Sequence, residues 1–98
     1  MAIVKHTITD TAWVAITSAG QSGSAWFDEN TQDNGMSSDV RIVHGATVPT
    51  DEDIEKGKRV YVPEHNNDVV ILSADNHLDI FYARAAVDGN AILSVDVA

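Results

Sequence analysis

Four histidines, His6, His44, His65 and His77, are the side chains of this chain best suited to hold a metal or move a proton. They stand in four separate segments, and no two have the i, i+2 or i, i+4 spacing that puts a ligand pair on one face. Only a composite assembled by the fold would bring them into one site. Surface or satisfied edge-strand histidines are therefore the expectation. Asp28-Glu29-Asn30-Thr31-Gln32-Asp33-Asn34-Gly35 is as rich in oxygen donors as a calcium loop. Setting Gly35 at the sixth position makes Asn30 the first ligand and Gln32 the third, and leaves Arg41 where a bidentate glutamate must sit. The stretch reads as a solvated loop. Asp51, Glu52, Asp53 and Glu55 offer carboxylate pairs, but acid–base work needs a sheltered cleft that drives two pKa values apart. Acids at the start of a helical turn are more simply favoured by its dipole. There is no cysteine, which removes disulfides, thiolate nucleophiles and Cys-ligated zinc. Nucleophile-elbow, P-loop and dinucleotide-binding motifs are also missing. The expectation is a non-enzymatic protein with no catalytic residue, no cofactor and no metal.

The aromatic residues carry the remaining chemistry: Trp13, Trp26, Phe27, Tyr61, Phe81 and Tyr82. Trp13 is expected to fill the core, as single large aromatics do in sandwiches. Trp26 and Phe27 are neighbours in an extended run, so one of them must point outward, where it becomes an interface residue. An outward Trp or Tyr would also suit stacking on a sugar.

The elements that must position these residues are short strands. Ala2 to Thr9 and Ala12 to Ala19 alternate, and Gly20 and Gly23 bracket a turn before Ser24 to Asp28. Val40 to His44, Lys58 to Val62 and Asp68 to Ser73 follow as further strands. Val69-Val70-Ile71-Leu72 is apolar on both faces, which predicts a central strand covered on both sides. Pro49 to Gly57 breaks the pattern. Thr50 as a cap, early acids and a closing Lys56-Gly57 predict a helical turn or two near 50–57. Asp88-Gly89 predicts a type I′ hairpin pairing Ala85 with Ile92, Ala83 with Ser94 and Phe81 with Asp96. That register puts Ile80, Tyr82, Ala86, Ala91, Leu93, Val95 and Val97 on the core face. Phe81, Ala83, Ala85, Val87 and Ile92 fall on the other face, too apolar for solvent, and are expected to meet a neighbouring subunit or partner, the alternative being that the run lies between two sheets of a curled barrel. About eight short strands and no long helix indicate an all-β fold, a small antiparallel β-sandwich or barrel.

Ninety-eight residues, 44% hydrophobic and 21% charged, describe one folded domain spanning 1–98. Six basic against fifteen acidic side chains give a net charge of −9. That balance argues against nucleic acid and against anionic membrane surfaces as partners. No apolar run is long enough to span a bilayer, and the first ten residues lack the apolar core of a signal peptide.

The layout resembles small accessory proteins encoded among tailed-bacteriophage head and tail genes. The similar features are an N-terminal strand leading to Trp13-Val14-Ala15-Ile16-Thr17 and a Gly/Ser turn running into Ser24-Ala25-Trp26. A proline, an acidic turn and Gly57 follow, and Asp79-Ile80-Phe81-Tyr82-Ala83-Arg84-Ala85 enters the closing run. The resemblance covers most of the chain as pattern and contains no catalytic or ligand motif to carry over. It implies a structural, non-enzymatic virion component, usually a homotrimer, such as a capsid decoration protein on the outer head surface. The implied partner is the major capsid protein or another virion protein, and the chain would be made in the host cytoplasm. The alternative is a receptor- or glycan-binding fibre or tip module. Trp26, Phe27, Phe81, Ala83, Ala85, Val87 and Ile92 are the expected interface residues.

Overall fold

The computed structural model describes residues 2–27, 39–50, 58–61, 69–85 and 91–97. Among them the chain is all β, with eight strands in two four-stranded antiparallel sheets. The strands are β1 (Ala2–Ile8), β2 (Val14–Ala15), β3 (Gly23–Phe27) and β4 (Asp39–Gly45). Then come β5 (Lys58–Tyr61), β6 (Val69–Leu72), β7 (Ile80–Ala85) and β8 (Ala91–Val97). The first sheet has the order β1-β8-β3-β6 and the second β2-β7-β4-β5. The expected helical turn at 50–57 and the 28–35 loop lie outside the described residues, apart from Thr50.

Alternation along each strand sends one set of side chains between the sheets. Ile8, Ala25, Leu72, Leu93 and Val95 come from the first sheet, and Val40, Ile42, Phe81 and Ala83 from the second. All are nearly inaccessible, and Ile8, Val40, Ile42, Leu72, Leu93 and Val95 are the largest fully buried side chains. Each such aliphatic residue contributes roughly 1.5–3 kcal/mol by leaving water. Chain crossings from one sheet to the other recur, and β4–β5 is the one pair of consecutive strands that are partners.

Four expectations are corrected here. The hairpin of β7 with β8 does not form, because β7 pairs with β2 and β4 while β8 pairs with β1 and β3. Ala85 lies opposite Val40, and Ile92 lies opposite Thr7. A hairpin would force paired residues of both strands onto one face. Strands in opposing sheets choose their faces independently, so Phe81, Ala83 and Ala85 turn into the molecule together with Leu93 and Val95. The Asp88-Gly89 turn itself falls outside the described residues.

The second correction concerns β6, which is the edge strand of its sheet. Leu72 is 1% exposed, whereas Val69 and Ile71 are 53% and 63% exposed. An apolar run is equally compatible with a covered centre and with an edge whose outer face awaits a partner. The third concerns Ala12 to Ala19, of which only Val14–Ala15 is strand. Beyond it, Ile16 N donates to Phe81 O at 2.8 Å, and Phe81 N donates to Thr17 Oγ1 at 3.0 Å. A side-chain oxygen thus replaces a backbone acceptor and ends the ladder. Trp13, expected in the core, is half-buried and stands outside the core cluster.

Candidate functional site

Two surface features bear on function, and the first is the outer face of the first sheet. Leu93 and Val95 point inward, so their neighbours Ile92, Ser94 and Asp96 point outward. The register sets Asp96 between Ile3 and Ser24, with Ile71 beyond, and Ser94 between Lys5 and Trp26, with Val69 beyond. Ile3, Trp26, Val69, Ile71 and Ile92 therefore share one face. Ile3, Val69 and Ile71 each expose more than half of their surface, and Trp26 and Ile92 are half-buried. Ser94 is 2% exposed on this face because its cross-strand neighbours Lys5 and Trp26 are long enough to shelter it.

Of the residues expected at an interface, this face brings together Trp26 and Ile92. It leaves out Phe81, Ala83 and Ala85, which are core residues and cannot meet a partner. Val87 and the side chain of Phe27 lie outside the described part. The central-strand reading of 69–72 hid Val69 and Ile71. The signal for Val69 and Ile71 was present in the sequence as a strand apolar on both faces, whereas Ile3 shares its face with Lys5 and Thr7 and gave none.

The second feature is a polar cluster where the loop 73–79 crosses from β6 to β7. Asp79 is 3% exposed, and its Oδ2 accepts from His44 Nδ1 at 2.7 Å and from the Asp75 amide at 2.9 Å. A carboxylate only accepts, so the His44 Nδ1 carries the ring proton. His44 sits near the end of β4 and leans on Phe81, with ring centroids 5.1 Å apart. Asp75 Oδ2 stands 3.8 Å from the same Nδ1, and its side chain is 74% exposed. The loop is held by its own bonds. Leu78 N donates to Asn76 Oδ1 at 2.9 Å, Asp79 N to Asn76 O at 3.2 Å, and Ala74 N to Ser22 Oγ at 2.9 Å. Gly20 N donates to Asp79 O at 2.8 Å, at a φ of 76° that favours glycine. A side chain at Gly20 would also press on the His77 backbone at 3.0 Å.

His44 is an exposed residue near the end of β4 whose ring nitrogen is satisfied by Asp79. No spacing rule could find this cluster, because 44, 75 and 79 meet only through the crossing of sheets. His65 lies outside the described residues, and His77 is an exposed residue of the 73–79 loop.

His6 lies elsewhere, in a groove of about 460 Å³ at the open side of the sandwich, with Val4, Val95, Val97 and the 15–18 segment. Burial against these apolar walls lowers its pKa from 6.5. No helix among the described residues is long and apolar enough to cross a membrane. No family model, curated protein or solved structure matches the chain.

Proposed function

We propose that this chain is a structural, non-enzymatic component of a phage virion, a capsid decoration protein that binds the outer head surface as a trimer. The observation that carries the binding role is the outer face of the first sheet, where Trp26, Val69 and Ile71 lie side by side. Apolar side chains grouped on one sheet face cost free energy in water and gain it when a partner covers them. An aromatic among aliphatic neighbours is the usual anchor of such a contact. The net charge of −9 suits the outside of a head, since an acidic protein facing packaged DNA would be repelled. The phage setting rests on the sequence resemblance.

The test is co-sedimentation with heads of the encoding phage assembled without this chain. The parent protein should bind, and Trp26→Ala combined with Ile71→Asp should abolish binding without changing the melt. Binding that survives the double substitution would remove this face from the contact. Failure of the parent to bind heads, together with binding to a glycan array lost on Trp26→Ala, would move the reading to a receptor- or glycan-binding tip module.

A further inference from the structure

We propose that His44, Asp75 and Asp79 form a binding site for a divalent transition-metal ion of the zinc class. One donor atom from each residue lies within 4.8 Å of the other two. An ion bound tetrahedrally at 2.0–2.2 Å holds its donors roughly 3.3–3.6 Å apart. Here Asp79 Oδ2 and Asp75 Oδ2 stand 2.7 and 3.8 Å from His44 Nδ1, on either side of that spacing. To reach it the first distance opens and the second closes, each by less than about an ångström. The exposed Asp75 side chain can close the second distance, and the part-exposed His44 ring opens the first by moving off Asp79, which is held in the turn.

The cluster contains more than an ion pair requires. Asp79 alone satisfies His44 Nδ1, and at 3.8 Å the Asp75 carboxylate is too far to accept from it. Two carboxylates around one imidazole nitrogen repel each other unless a cation lies between them. The donor set also selects among cations. Calcium wants six to eight oxygen ligands, and magnesium is bound chiefly through oxygens and waters, whereas imidazole with carboxylates suits zinc. Binding replaces the histidine's hydrogen bond to Asp79: its ring proton moves from Nδ1 to Nε2, and Nδ1 takes the metal as a neutral ligand. A water would complete the fourth position on the solvent side. The ion would tie the loop that joins the two sheets to β4, and so link the first sheet to the second.

Zinc added to the chelator-treated full chain is the probe, with the melt as the readout. At zinc a hundredfold above its Kd, Tm should rise by roughly 10–20 °C. Cobalt in place of zinc should give the strong visible absorption of a tetrahedral site. Asp75→Asn, chosen because the side chain is exposed and the fold does not depend on it, should lose at least half of the rise and the cobalt band. His44→Gln should lose both, while His6→Gln and His77→Gln keep them. No rise in the parent would overturn the proposal. So would a rise that persists undiminished in Asp75→Asn, which would place the ion on other histidines or acids.

Discussion

Asp79 buries a carboxylate beside the core, an expensive placement that is offset by two donors on one oxygen. Asp79→Ala orphans the His44 ring N–H and the Asp75 amide together. It should lower stability by about 1–3 kcal/mol, read from denaturant unfolding. Gly23 is constrained differently. A Cβ at this first residue of β3 would run into the Asp96 carbonyl oxygen of β8, so Gly23→Ala must push two paired strands apart. A loss of about 1–3 kcal/mol, as for other overpacked sites, is expected in the same measurement. At His6 the prediction concerns pH. Its pKa is lowered from 6.5 in the folded state by desolvation, so the unfolded chain binds the proton more readily. The neutral ring costs nothing above pH 6.5, and stability is lost as pH falls from there through the folded pKa. Melting curves between pH 7.5 and 5 should show this decline, and His6→Gln should flatten it. A decline of equal slope in His6→Gln would assign the pH dependence to other groups.

The strand β6 offers the sharpest contrast between neighbours. Ile71 faces out at an edge and Leu72 faces in, 63% and 1% exposed. Ile71→Asp should stay within about 0.5 kcal/mol of the parent, as surface substitutions do. Leu72→Asp places an unpaired charge between the sheets and should leave the chain unfolded. Equal losses for the two, seen by circular dichroism on heating, would contradict the edge position. At the other end of the same sheet β1 has its own bare edge, where Ile3 and Val4 are 62% and 47% exposed. Past Ile8, Thr9 O accepts from Ala85 N at 2.9 Å, so the end of β1 crosses to the second sheet and closes one corner of the sandwich. Arg84 reinforces that corner, donating to Asp10 O through Nε at 3.1 Å and Nη2 at 2.7 Å.

At the scale of the molecule, two sheets enclose one core and leave Trp26 beside the exposed Val69 and Ile71 on one outer face. Binding to heads through this face should weaken when the face is charged. Light scattering of the parent is expected to show a trimer, and Trp26→Glu should leave that trimer intact while its binding to heads is lost, because this is the face proposed to meet the head. The alternative contact through Phe81 is testable in the same way. Phe81→Asp should unfold the chain rather than yield a folded monomer, because Phe81 is 3% exposed within the core.

The β class, the two sheets' worth of short strands and the inward facing of β8 were legible from alternation and turn residues alone. Strand residues repeat with a period of two whatever they pair with, so this signal is local. The choice of partner was not local. Asp88-Gly89 predicts a hairpin, yet β7 and β8 lie in different sheets and both send residues into the one core. That choice turned Phe81, Ala83 and Ala85 from an expected interface into core, and it moved the apolar surface to Trp26, Val69 and Ile71. The same crossings brought His44 to Asp75 and Asp79 across at least 31 positions of sequence. Sequence determined which residues alternate and where the chain turns. Tertiary structure alone decided which faces meet, because burial rewards whole surfaces and not neighbouring residues.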